Sequence, residues 1–582
     1  MNTETPKDMH SPVLPEGRTS KTTNLWMFIW SAMLAAAWLT PNHYLPWTGF
    51  HSDALSASAW LMAAAVIWRY EKQPADWDVL SVGLLAVACI PWLQYGVGLL
   101  PWAGQAGIAS LYLLGFTLAY QLGRGWERSA PGQMAGGLFM AVAIASLWSV
   151  GLQLNALLDL ANPTEVSFWT MEQSGPRPYA NIGQPNQLAT LLLWGVLAAL
   201  WAYEAGKIRG AVAVVMAAFL LYGISLTQSR TAWVALSLLL MVTWLGRPRW
   251  SSKRLPWMAT VLYVVFWFYP WLTAALVSGL GLDSGSDFIR KITSNEARQY
   301  VYSTFLQASL KQPWLGYGWA DLGIAHLNVA LENASLDQLF AHTHNLFLDL
   351  VLWLGWPLGL FLSGALLWWF MQQRDALTEP RRLILGMFVL VIGVHAMLEL
   401  PHQYAYFLLP TGAVMGALGS KRQAHFRWKT GKVPLLTVWL LAAGMFALVV
   451  KDYLQVEESV RRQRFVDAGI ITAAKLEPPD VVLLTQWREI MRLMQFKPHA
   501  GMTQQELEWL IAVVRIYPSI GTRLKAATAL GLNERPKEAA EWLEALCRVR
   551  QQNTCEQIEA VWQERVRQLP LLAPVPWPRN PR

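Results

Sequence analysis

The chain is expected to be all-α: a polytopic membrane bundle of about 12–13 transmembrane helices, with a large outer-face loop and a soluble helical tail. Three observations predict this. Of 582 residues, 54% are hydrophobic, only 14% are charged and 33 are tryptophan, an indole that favours the lipid–water interface. Apolar runs long enough, or nearly so, to cross a hydrocarbon core recur from residue 25 to residue 450. Beyond Lys451 charge rises and the pattern turns amphipathic.

Residues 1–24 are polar, with Pro, Ser and Thr, and read as a disordered cytoplasmic tail. Spans are expected at 25–40, 54–69, 79–100, 105–122, 134–158, 187–203, 209–226, 231–246, 256–280, 344–370, 383–400, 404–419 and 433–450. The first lacks a small-residue cleavage site and reads as an uncleaved anchor. Loop charge orients the set. With the N-terminus inside, the even-numbered turns carry Arg69 and Lys72, Arg124 and Arg128, Lys207 and Arg209, Arg247 to Arg254, Arg374 to Arg382, and Lys421 to Lys432. The short loops opposite, around Pro41–Asp53, Pro101–Gly104 and Pro401–Gln403, carry neither lysine nor arginine. The positive-inside rule then leaves 159–186, 227–230, 281–343 and everything after 450 on the outer face. It also accounts for the formal charge of +8 by topology, so no nucleic-acid partner is expected.

Residues 25–450 thus form the membrane domain, 451–568 an outer helical domain and 569–582, with five prolines, a flexible end. In the tail, Trp542, Leu546 and Ala539 fall at helical spacing, and Gly531 and Pro536 punctuate two helices in the manner of tetratricopeptide hairpins. Cys89 lies in an apolar run and reads as a small core residue. Cys547 and Cys555 flank a turn. In an oxidising compartment a bridge there would contribute roughly 2.5 kcal/mol by the loop-entropy relation; the alternative is two free thiols.

Polar outliers carry the chemistry. Arg230 stands in the short turn Thr227-Gln228-Ser229-Arg230, on the face whose short loops otherwise lack cations. It either snorkels to lipid phosphate or offers a guanidinium fork to a phosphate ligand, the geometry favouring the fork. Arg298 is expected on a helix over 294–311, opened by Thr293 and Glu296 and closed by Pro313, on one face with Val301, Tyr302 and Phe305. Either its stem covers apolar surface or its head meets an anion. His342, His344, Asn345 and Asp349 open span ten. The two histidines lack a third ligand at useful spacing, so no metal is expected, and His344 is better suited as a general base or hydroxyl partner. Gln184, Asn186 and Gln187 open span six, where amides suit sugar hydroxyls or phosphate oxygens and Asn186 also suits a helix cap. Glu399, His402, Tyr404 and Tyr406 form a weaker group, since aromatic-belt residues explain the tyrosines.

In order, Asn181-Ile182-Gly183-Gln184-Pro185-Asn186-Gln187, Ser229-Arg230-Thr231-Ala232, Glu296-Ala297-Arg298 with Pro313-Trp314-Leu315-Gly316-Tyr317-Gly318, His342-Thr343-His344-Asn345, and Leu398-Glu399-Leu400-Pro401 with Tyr404-Ala405-Tyr406 resemble the O-antigen ligase superfamily. Within it they most resemble the PglL/PilO-type protein O-oligosaccharyltransferases. Leu358, where the ligase pattern has a small residue or Tyr three positions after Gly355, departs from the lipopolysaccharide ligases. The resemblance implies a donor oligosaccharide on undecaprenyl pyrophosphate, an exported pilin-like acceptor modified on Ser or Thr, and no cofactor or metal. On that basis Arg230 and Arg298 would hold the pyrophosphate and His344 would take the hydroxyl proton. Gln184, Asn186, Gln187, His342, Asn345 and Tyr404 would contact substrate. Two rivals are an O-antigen polymerase or ligase using the same donor, and a lipid or solute transporter resting on Asp159, Asp349 and His395.

Overall fold

The computed structural model describes residues 21–70, 75–158, 169–172, 177–280, 296–319, 322–329, 340–420, 428–470, 477–548 and 552–578. Its helices are α1 Lys21–Leu39, α2 Phe50–Tyr70, α3 Val79–Gly96, α4 Ala103–Ser129, α5 Gln133–Leu158, α6 Pro185–Glu204, α7 Gly210–Leu226, α8 Arg230–Leu245, α9 Leu255–Gly279, α10 Glu296–Lys311, α11 Leu322–Val329, α12 Leu346–Met371, α13 Pro380–Ala396, α14 Ala405–Gly419 and α15 Lys432–Asp467. Five more follow in the tail: α16 Thr485–Gln495, α17 Gln504–Ile516, α18 Ile520–Leu532, α19 Pro536–Arg548 and α20 Gln552–Gln568. Among the described residues eight helices are long and apolar enough to cross a membrane, and the other five expected spans fall on four shorter apolar helices and on Pro380–Ala396. The chain is a multi-pass membrane protein.

Without a hydrophobic force between spans, close backbone approach holds the bundle. The tightest pair is α4 with α14. A Cβ at Gly123 would fall on the Ala413 carbonyl oxygen, and one at Gly416 on that of Tyr120. Several tryptophans expected at the interface are instead central. Trp30, Trp38, Trp126 and Trp194 are fully buried, and the Trp194 ring stacks on Phe388 at 3.8 Å. Their indole N–H groups are used where the backbone offers an acceptor: Trp38 donates to the Tyr406 carbonyl at 3.1 Å and Trp194 to that of Phe388 at 3.1 Å. Cys89, in contrast, is exposed on the outside of α3 rather than in a core.

One small ribbon interrupts the all-helical pattern. Strand β1, Ala75–Trp77, pairs antiparallel with β2, Trp428–Thr430. It joins the α2–α3 and α14–α15 loops, both assigned to one side by the charge alternation. The other end of the bundle gathers the starts of α6, α8, α12 and α14.

Span ten is not one straight helix. Gly355 takes φ 78°, ψ 168° inside α12, and the Pro313–Gly318 segment fits into the break. Tyr317 N–H donates to the Leu352 carbonyl and Trp356 N–H to that of Pro313, both at 2.7 Å. Gly316 also has positive φ, and a Cβ there would strike the Leu352 carbonyl oxygen. This locks the large loop to α12. Helix α10 then lays Val301, Phe305 and Ala308 against Leu350, Leu352 and Trp353.

The boundary expected at Lys451 is no break: α15 runs 36 residues without interruption out of the membrane domain. Asp452, fully buried, then accepts the backbone N–H groups of Val482, Leu483 and Leu484 at 2.9, 2.6 and 3.1 Å. The Gly104 N–H donates to Thr485 Oγ1 at 3.1 Å, seating the tail on the start of α4. Helices α16 to α20 stack in sequence, and Cys547 and Cys555 form a disulfide across the α19–α20 turn.

Candidate active site

The site begins with the caps that aim its side chains. Asn345 is the N-cap of α12, and its Oδ1 accepts the N–H groups of Phe347 and Leu348, each at 3.1 Å. Its Nδ2 donates to the Met397 carbonyl at 3.2 Å. Thr343 Oγ1 donates to buried Asp349 at 2.7 Å, which also accepts the Thr343 N–H at 3.0 Å. This braced turn holds His344 before the helix, at φ 59°.

His344 is 30% exposed, and its Nδ1 lies 2.8 Å from Glu399 Oε2. A carboxylate only accepts, so Nδ1 carries the proton in this pair, and Nε2 is the ring nitrogen turned away from Glu399. Among the described residues nothing hydrogen-bonds Nε2. Glu399 follows the end of α13 and is nearly buried. Its Oε1 accepts from Asn186 Nδ2 at 3.0 Å, and Asn186 Oδ1 in turn accepts from Arg177 Nη2 at 3.3 Å. Arg177 Nε donates to the carbonyl of Thr227 at 2.8 Å, three residues before Arg230. Burial draws Arg177 down from the usual arginine range, the Glu399 carboxylate opposes this, and the Arg230 charge adds to it. One continuous chain therefore runs from imidazole to carboxylate to amide to guanidinium, beside a second guanidinium.

Arg230 is the first helical residue of α8, released from the turn by the Ser229 cap. The side chain of Arg298 lies outside the described residues, as do Thr293, which was expected to cap its helix, and Asp159. Helix α10 does bury the Val301–Phe305 face against α12. Asn186 does not cap α6. That position belongs to Gln184, which makes no side-chain cap bond, because the Asn186 amide is drawn across to Glu399. Gln187 is buried and accepts from Tyr406 Oη at 2.8 Å. Tyr406, fully buried, is a packing residue rather than a belt tyrosine. Tyr404 remains partly exposed beside it, with ring centroids 5.3 Å apart.

His342 immediately precedes Thr343 and accepts at Nδ1 from Gln403 Nε2 at 3.0 Å. Burial, with His402 and His344 nearby, holds it down at about 3, so it is neutral and serves as an acceptor. Two residues that support the transporter rival are committed locally: Asp349 to Thr343, and His395 Nδ1 to Thr190 Oγ1 at 2.7 Å. Reading residues one at a time missed Arg177 and undervalued Glu399. The rule that singled out Arg230, a cation on the face of low loop charge, applies equally to Arg177. Nothing local marks Glu399, whose partners lie 55 and 213 positions away.

Known proteins match the chain along these stretches. A family described as Protein glycosylation ligase matches residues 178–201, and one described as O-Antigen ligase matches 215–363. One described as Virulence factor membrane-bound polymerase, C-terminal, matches 383–563. A General O-oligosaccharyltransferase of Acinetobacter baylyi is 27% identical over 505 residues, covering 84% of this chain and 86% of that protein. A ComP-specific O-oligosaccharyltransferase of the same organism is 27% identical over 283 residues, covering 48% of this chain and 51% of its own length. Along most of its length, the chain is similar to the O-oligosaccharyltransferases of the O-antigen ligase group.

Proposed function

We propose that this protein is a metal-independent glycosyltransferase that moves an oligosaccharide en bloc from undecaprenyl pyrophosphate to Ser or Thr hydroxyls of exported, pilin-like proteins. The observation that carries the reading is the His344–Glu399–Asn186–Arg177 chain beside Arg230. In this scheme the hydroxyl proton passes to His344 Nε2 while the oxygen attacks the anomeric carbon. The bond from that carbon to the pyrophosphate oxygen breaks, and the lipid pyrophosphate leaves as an anion. Glu399 holds the ring and balances the imidazolium, the division of labour known from catalytic triads. Arg230 and, by family resemblance, Arg298 offset the charge that grows on the leaving group. Gln184 and Tyr404, both partly exposed at the mouth, are assigned to positioning substrate.

We assign the site to the periplasmic side of the inner membrane. Lysines and arginines crowd the loops at the opposite end, and a disulfide in the tail suits an oxidising compartment. A glycan acceptor, as in a polymerase or ligase, would use the same donor chemistry. The helical tail, seated on the start of α4 and against α11, favours a protein acceptor. Reconstitution with lipid-linked oligosaccharide and a pilin tests both substrates together. Wild-type enzyme is expected to glycosylate the pilin and His344→Ala to lose transfer at unchanged membrane abundance. Full transfer by that variant would remove the histidine from the mechanism. Mass spectrometry of exported proteins with and without the gene separates protein from glycan acceptors.

A further inference from the structure

We infer that the membrane domain holds an anionic phospholipid of the surrounding bilayer, with an acyl chain in a cleft between α7 and α9 and its phosphate against the cations of the two adjoining loops. The cleft, about 140 Å³, is lined mainly by the second halves of α6 and α8 and the first halves of α7 and α9. It therefore lies in the leaflet away from His344 and Arg230. Apart from Thr243 and the hydroxyls of Tyr203 and Tyr263, its lining is apolar. Thr243 Oγ1 already donates to the Leu239 carbonyl at 2.7 Å, and Tyr263 Oη pairs with Ser237 Oγ at 2.8 Å. Helix α9 is held to α8 by Trp244 Nε1, which donates to Thr260 Oγ1 at 3.1 Å, and by the Trp233 and Trp267 rings, 5.3 Å apart. Its hydrogen bonds to α7 among the described residues lie in the other half of the helix. There Tyr269 Oη donates to the Ala218 carbonyl at 3.0 Å and Thr273 Oγ1 to Tyr222 Oη at 3.4 Å. Nearer the loops, small residues at Gly210, Ala213 and Ala217 of α7 leave the space that Met258 and Ala259 of α9 border from the other side.

Charge stands at the mouth of this cleft. Lys207 and Arg209 lie on the loop entering α7, and Arg247, Arg249, Lys253 and Arg254 on the loop entering α9. All six are exposed, and none pairs with a carboxylate among the described residues. Ser251 draws the second loop across to the end of α6, its N–H and Oγ donating to Glu204 at 3.3 and 2.6 Å. Topology alone asks for positive loops on this side, but it does not ask for an apolar cleft beneath them. A cleft that accepts a hydrocarbon chain, under cations that accept a phosphate, matches the two parts of an anionic phospholipid. A zwitterionic lipid or a polyprenol would use the cleft and leave the cations unmatched. The inference does not depend on the donor reading, because this lipid sits at the end of the bundle opposite His344.

The test uses full-length protein in detergent and two photoactivatable probes, phosphatidylglycerol and phosphatidylcholine with the same diazirine-bearing acyl chain. Mass spectrometry locates the cross-links. The phosphatidylglycerol probe is expected to label residues within 210–221 and 255–263, about 10-fold more than the phosphatidylcholine probe does. Unlabelled phosphatidylglycerol is expected to compete, and undecaprenol is not. Ala213→Phe with Ala259→Phe, which fill the cleft, are expected to remove labelling from both stretches. Arg209→Gln with Arg254→Gln are expected to leave the cleft accessible and to level the two probes. Equal labelling of the wild-type protein by both probes would overturn the inference, and so would undecaprenol competing as strongly as phosphatidylglycerol. Labelling unchanged in either double variant would overturn it too. Should the variants not fold, the wild-type comparison and its competition decide by themselves.

Discussion

His344 occupies left-handed backbone, a region costing a non-glycine residue roughly 1 kcal/mol or more. The local bonds that hold it there are Thr343 to Asp349 and the double N-cap of Asn345. The motif therefore divides its labour: Asn345 and Thr343 build the turn, and His344 is left partly exposed and paired with Glu399. On the proposed mechanism Glu399 acts through the imidazole, so Glu399→Gln is expected to lower kcat about 100-fold with little change in donor KM. An equal fall in binding and turnover would mark it as part of the scaffold instead. The histidine was legible in the sequence because imidazole at a helix start has few reasons to be there. Its carboxylate was not, because a pairing between residues 55 positions apart leaves no local periodicity.

At the scale of elements, each of the thirteen apolar runs expected from hydropathy falls on a helix that starts within four residues of the expected position, whereas the helices from Ala103 and Lys432 run on to Ser129 and Asp467, well past the expected ends. Hydropathy does not report backbone dihedrals, and so the break in α12 escaped. Gly355 reads as one more small residue in an apolar run, yet its positive φ and the carbonyl of Trp314 leave no space for a methyl group. Gly355→Ala is expected to cost at least about 1–3 kcal/mol. The expected readouts are a lower thermal midpoint in detergent and reduced transfer, since the Pro313–Gly318 lock carries the helix bearing Arg298. An unchanged midpoint would show that the break relaxes without cost. The β1–β2 ribbon was equally invisible, because three-residue strands are too short to show alternation. The end of the last span was drawn at 450 because hydrophobicity stops there, although helical hydrogen bonding does not.

Across the whole molecule, His326 joins the large loop to the tail. It is buried on α11, accepts the Phe340 N–H at Nδ1 at 3.1 Å, and lies near Phe305 and Arg523. Burial and the Arg523 charge lower it to about 4. An unfolded chain protonates this histidine near 6.5 and the folded one only near 4, so between those values the unfolded state binds more protons. Stability from this site is complete above about pH 6.5 and declines as pH falls toward 4. The thermal midpoint is expected to drop from pH 7 to pH 5, and His326→Asn, which keeps an acceptor at the Nδ1 position, to flatten that slope. An identical slope in the variant would exclude His326 as its source.

The uninterrupted α15 and the clasp at Asp452 have a mechanical outcome. The appendage is bolted to its base and cannot swing a captured client toward the catalytic mouth, so slack has to come from the client. Serines and threonines on loose termini or long surface loops are within reach of such an enzyme, whereas those woven into a rigid sheet stay beyond it.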